Sequence, residues 1–88
     1  MKILDLPLKG VWYNMIESGV KTEEYREIKS YWIKRLYKEI THVRFRYGYT
    51  SRTMLFELKG IRQGKGKPEW GAPNTDVFIL ELGNKITE

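Results

Sequence analysis

The strongest constraint in this chain is a change of hydrophobic period at His42. Ahead of it, apolar residues recur every three or four positions; beyond it they recur at every second position. Val43, Phe45, Tyr47 and Tyr49 alternate with Arg44, Arg46 and Gly48, the pattern of a strand with one face buried and the other in water. Arg52 to Arg62 is a second strand, with Met54, Phe56 and Leu58 on one face and Leu55, Glu57 and Lys59 on the other. Glu57 either meets solvent there or enters a cleft, and Gly60 marks a bend or bulge. Asp76 to Leu82 holds Val77, Phe78, Ile79, Leu80 and Leu82 in a near-continuous apolar run, as a central strand covered on both faces requires.

The first half reads differently. Lys2 to Leu6 is a short strand with Ile3, Leu4 and Leu6 as apolar members, ended by Pro7, whose fixed φ suits the first turn of a helix. Leu8, Val11, Trp12, Met15 and Ile16 fall at helical spacing, and Gly19 follows as a C-terminal cap, so a helix is expected over Leu8 to Ser18. Lys21 to Ile28 is read as an extended loop or edge strand. Ser30 can cap a second helix burying Trp32, Ile33, Leu36, Tyr37 and Ile40. Gln63 to Asn74 is a long turn-rich loop. The order strand, helix, loop, helix, strand, strand, loop, strand predicts an α+β domain with a curled, mostly antiparallel sheet. At 88 residues the chain is read as one domain, 1–88.

Composition removes several chemistries. Without cysteine there is no disulfide, thiolate-bound zinc or Cys nucleophile. The lone histidine, His42, leaves no two-His metal site and is read as the start of a strand; no metal and no cofactor are expected. No apolar run approaches the roughly 18 residues of a membrane span, and MKILDLPLKG has too short an apolar stretch for a secretory signal. The expectation is a soluble, cytoplasmic, monomeric domain with no membrane partner. Its net charge of +5 is unevenly spread. From Val43 to Lys67 seven basic residues (Arg44, Arg46, Arg52, Lys59, Arg62, Lys65, Lys67) face only Glu57, a net +6. Such a cluster is either the footprint of a nucleic-acid or phosphate ligand or a solvated basic face. Gly64-Lys-Gly-Lys lacks the spacing and following helix of a phosphate-binding loop.

Residues 19–26 read Gly-Val-Lys-Thr-Glu-Glu-Tyr-Arg. This G-x-K-x-x-E-x-R segment resembles the signature of the ASCH domain, a member of the PUA-like superfamily. With LPLKGVWYNMIESGVKTEEYREIKSYW, VRFRYGY and GIRQGKGKPEWGAP around it, the whole chain resembles the small ASCH proteins of bacteria and their phages. The resemblance implies a PUA-like β-barrel flanked by two helices, with a cleft that binds RNA or a modified nucleoside. Gly19, Lys21, Glu24 and Arg26 match the signature; Gly19 would close the first helix and the other three would face the cleft. Two activities are associated with such relatives: amide hydrolysis of acylated cytidine and metal-independent cleavage of RNA. For the first, the resemblance implies a Lys-activated Thr. Lys21 matches the lysine, but Glu24 stands where the threonine would be, and Thr22 is the nearest hydroxyl.

The residue types fit such a ligand in their own right. Glu24 can accept from an exocyclic amine, while Lys21 and Arg26 donate to carbonyl or phosphate oxygens. Tyr25 or Trp70 can stack on a base, and Glu69 is a candidate site carboxylate. Arg44, Arg46, Lys59, Arg62, Lys65 and Lys67 would follow a nucleic-acid backbone. The plain alternatives are a surface salt-bridge cluster at Lys21–Arg26 and a loop anchor at Trp70; Trp12 and Trp32 are assigned to the core. Three classes of function stay open: a nucleic-acid or nucleoside binder, a hydrolase using Lys21 and Glu24, and an accessory protein acting by protein contact.

Overall fold

A computed structural model describes residues 1–36 and 38–88; Tyr37, expected on the buried face of the second helix, lies outside the described residues. The elements run β1 (Ile3–Leu8), α1 (Gly10–Glu17), β2 (Glu23–Glu27), α2 (Ser30–Leu36), β3 (His42–Tyr47), β4 (Thr53–Lys65) and β5 (Asp76–Ile86), with a 3₁₀ turn at Pro68–Trp70. The strands form one sheet in the order β1-β3-β4-β5-β2. Only β1 and β3 are parallel; the other three pairings are antiparallel. The fold is thus α+β, two helices on a five-stranded mixed sheet curled into a half-barrel, and no helix is long and apolar enough to cross a membrane.

The inner face of the curl holds the core. Leu4, Leu6 and Leu8 of β1 line up with Val43 and Phe45 of β3, Met54 and Phe56 of β4, and Phe78, Leu80 and Leu82 of β5. Tyr13 and Ile16 of α1 and Leu36 of α2 close over them. Val77 and Ile79 are buried on the opposite face, which makes β5 the two-sided central strand that its composition predicts.

Two expectations shift here. Pro7 does not end β1 but sits within it, opposite Arg46. β1 is a sheet edge, and an edge strand loses nothing by a missing N–H on its open side. Leu8 is consequently a buried strand residue, and α1 begins at Gly10 instead of Leu8. The helix's inward stripe turns with it, burying Tyr13 and leaving Val11 exposed. Gly10 allows a close approach, since a Cβ there would run into the Tyr47 ring. Ser30 is the first residue of α2 rather than its cap, and the Lys29 carbonyl accepts from the Trp32 and Ile33 amides.

The third shift is one of register. β4 and β5 pair with irregularities between Phe56 and Leu58 and again between Leu58 and Gly60. The expected break at Gly60 is therefore real, and it changes which positions face inward: Met54, Phe56 and Leu58 before it, Ile61 after it. Glu57 secures the break from the outside, its Oε1 accepting the Asn84 amide at 3.2 Å. If β5 is the centre of the fold, Leu80→Ala will cost about 2–5 kcal/mol, while Val20→Ala, at an exposed site, will stay within about 0.5 kcal/mol. Urea midpoints measure both; equal small losses would contradict the topology.

Candidate functional site

α1 ends in a reversal that aims the signature segment inward. Gly19 has φ +88, a left-handed conformation for which glycine is the low-cost residue. The Lys21 amide then returns to the Met15 carbonyl at 3.0 Å, and the chain enters β2, the edge strand opposite β1. Glu24 pairs with Leu80 and Arg26 with Phe78, two residues of the inner core. By the two-residue alternation of a strand, Glu24 and Arg26 face the inside of the curl, where the other strands place apolar side chains.

These charges are tightly partnered. Lys21 has no exposed side-chain surface; its Nζ lies 3.2 Å from Glu24 Oε1 and donates to the Trp70 carbonyl at 2.9 Å. The same ammonium sits 4.6 Å from the Tyr25 ring centroid and 5.7 Å from that of Trp12. Glu24 Oε2 accepts from Arg26 Nη2 at 2.7 Å. The Arg26 guanidinium lies 5.0 Å from the Trp32 ring, and its buried Nε–H finds no acceptor among the described residues. Burial pushes the Lys21 ammonium below the usual lysine range, against the pull of Glu24.

Tyr25 binds the loop after β4 to the same strand. Its hydroxyl donates to Glu23 Oε1 at 2.8 Å and accepts the Lys67 amide at 3.1 Å. Burial is the main cause that pushes this phenol up to about 12. Gly71, at φ +96, passes so near Trp12 that a Cβ would lie 2.9 Å from the indole. The loop is thereby fastened at Tyr25, Lys21 and Trp12. Trp70 contributes its carbonyl to the centre, and its ring is covered by Lys67 at 4.2 Å. Glu69 is exposed and makes no ion pair among the described residues.

Beside Arg26, a groove of about 500 Å³ opens between α2 and the sheet, lined by Leu36, Ile61, Arg62, Gln63 and Phe78. Phe78 is the cross-strand neighbour of Arg26, so the groove lies next to β2; the unpaired Nε of Arg26 is itself buried and Arg26 is not one of the lining residues. Gln63 pairs with Phe78 and comes to the groove through the register change at Gly60. Apolar walls with a few polar groups are the usual make-up of a small-ligand site. Among the described residues, no three His, Asp or Glu side chains converge as metal ligands.

The structure thus brings Lys21, Glu24, Tyr25, Arg26 and the Trp70 main chain together and leaves Glu69 outside. The basic window disperses. Arg44 is held by Asp5 and by a two-pronged contact with Glu88, Arg52 by Glu17, and Arg62 by Glu23 and Glu81. Arg46 donates to the Thr50 carbonyl; Lys59 and Lys65 are exposed, far apart along β4. Trp12 and Trp32, assigned to the core, are half-buried against it and also flank Lys21 and Arg26. A scan against models of known families, a search of curated proteins and a search of solved structures each return no match.

Two outcomes follow from this geometry. Lys21→Ala leaves Glu24 short of a buried partner and will cost about 3–5 kcal/mol in urea denaturation, whereas a loss below about 1 kcal/mol would mark a surface pair. The raised Tyr25 pKa makes its protonated hydroxyl a stabilising group below pH 10, with that contribution lost as pH rises from 10 through about 12. Between pH 9 and 11.5, wild type will therefore lose more stability than Tyr25→Phe; parallel losses would contradict the assignment.

Proposed function

We propose that this chain is an ASCH-like, PUA-like domain that binds RNA or a modified nucleoside in the groove between α2 and the sheet. The observation that carries the reading is the groove with apolar walls next to Arg26: Phe78, the cross-strand partner of Arg26, lines it, and the guanidinium is fixed by Glu24 and flanked by Trp32 with its buried Nε–H unpaired. A buried donor without an acceptor is costly, about 1–3 kcal/mol, and a ligand oxygen or ring nitrogen would relieve that cost. A nucleobase offers such acceptors on a flat apolar body, which suits Leu36, Ile61 and Phe78, and Gln63 can match either a donor or an acceptor on its edge.

Binding is favoured over hydrolysis by the state of Lys21. Its ammonium is fully buried and engaged by Glu24 and the Trp70 carbonyl, so it acts as a tie between β2 and the loop. Both oxygens of Glu24 are occupied as well, and the nearest hydroxyl residue, Thr22, is exposed. A general base must lie within hydrogen-bond reach of the proton it takes, and Glu24 is buried between two cations.

Isothermal titration at low salt with cytidine, N4-acetylcytidine and short single-stranded RNA tests the reading. At least one will bind, and Arg26→Gln will weaken it at least about tenfold, the range of a lost charge-assisted hydrogen bond, with the circular dichroism spectrum unchanged. Absence of binding to all three would overturn the proposal. Deacetylation of N4-acetylcytidine that disappears in Lys21→Ala would instead establish the hydrolase reading.

A further inference from the structure

The outer face of α2 carries an arrangement that neither the signature nor the basic window accounts for. Tyr31 is half exposed, and the Arg35 guanidinium stacks on it at 3.5 Å from the ring centroid while donating to the Tyr31 carbonyl. Tyr31 packs edge-on to Trp32 with centroids 4.8 Å apart, and Trp32 in turn lies against Arg26. Arg35, Tyr31, Trp32 and Arg26 therefore form a continuous alternation of guanidinium and aromatic rings. It runs from solvent to the buried, unpaired Nε–H of Arg26.

The charge around it is free. Lys34 lies three residues from Tyr31, on the same side of the helix, and Lys38 follows just beyond α2; both are exposed and unpaired among the described residues. At the other rim of the groove, exposed Lys65 stands two residues beyond Gln63, on the same strand face. By contrast, Arg44, Arg52 and Arg62 are neutralised by carboxylates. Lys34, Lys38 and Lys65 are thus available to phosphates, as are the exposed Lys59 and Lys85 elsewhere on the sheet.

Resting on the binding reading above, we infer that the ligand is a single-stranded polynucleotide: one base enters the groove at Arg26, and its neighbour stacks on the Tyr31–Arg35 pair of α2. Stacked guanidinium and phenol planes accept any base, and Lys34 and Lys38 supply the phosphate contacts between successive nucleotides. A free nucleoside would use the groove alone and leave the outer face of α2 without a role. A folded protein partner has no need of a stacked pair flanked by unpaired lysines.

The experiment compares cytidine 5′-monophosphate with a short oligocytidylate, by titration at several salt concentrations, on wild type, Tyr31→Ala and Lys34→Glu. The oligonucleotide will bind more tightly than the monophosphate. Tyr31→Ala will weaken the oligonucleotide about 5- to 150-fold, the range of one base–aromatic stack, with the monophosphate affected far less. Lys34→Glu will flatten the salt dependence of the oligonucleotide by about one unit of slope. Equal affinities for the two probes, or an oligonucleotide indifferent to Tyr31→Ala, would overturn the polynucleotide track and leave the groove reading intact. Failure of wild type to bind either probe, and N4-acetylcytidine as well, would remove the groove reading itself. Because Tyr31 is half exposed, its replacement leaves the core in place, and an unchanged circular dichroism spectrum checks this.

Discussion

One carboxylate organises this molecule. Glu24 sits on the inward face of an edge strand and divides its two oxygens between Lys21 and Arg26. A buried ion group stabilises little on balance, because desolvation offsets most of the attraction. It does impose geometry: each member left unpaired would be costly, so the three can only occupy the arrangement that satisfies them together. Lys21 extends that constraint to the loop through the Trp70 carbonyl, and to α1 through the Trp12 ring. β2, the loop after β4 and the first turn of α1 are thus tied together by a single ammonium.

The group carries two cations and one anion, and the surplus is expressed at Arg26. Its guanidinium is fixed at one end by Glu24 and flanked by Trp32, and its buried Nε–H is left unpaired among the described residues. In the proposed function Lys21 and Glu24 position and Arg26 recognises. A reader of a base edge must be held still, and the buried pair behind Arg26 supplies that rigidity. Lys34 on α2, Lys38 just beyond it and Lys65 at the end of β4 are exposed and unpaired among the described residues.

Much of this was legible in the sequence wherever a local rule decides. The two-residue period after His42, the apolar run of β5, the left-handed Gly19 and the extended edge character of residues 21–28 all follow from backbone preference and patterning. Pro7 misled because its effect depends on whether its strand is an edge, a property of the whole sheet. The inward faces of β4 were readable only up to Gly60, since an irregular pairing reverses the alternation and brings Ile61 and Gln63 to the groove. The clustered charge of residues 43–67 was a property of the linear chain: Asp5, Glu17, Glu23, Glu81 and Glu88 return to it from elsewhere. Helical spacing gave Trp12 and Trp32 to the core without revealing that their rings also wall the buried cations. The Gly19–Arg26 segment was visible as spacing, but that its lysine is sealed and its arginine only partly so depends on tertiary packing.

The central proposal is that a ligand entering the groove engages the unpaired Nε–H of Arg26, which is buried in the free protein. The most direct measurement follows the Arg26 Nε–Hε resonance by ¹H–¹⁵N NMR as single-stranded RNA or N4-acetylcytidine is added. The account predicts a distinct, slowly exchanging signal that shifts on binding, as a hydrogen bond forms at that atom. A signal unmoved while resonances elsewhere respond would place the ligand on another surface and contradict the account.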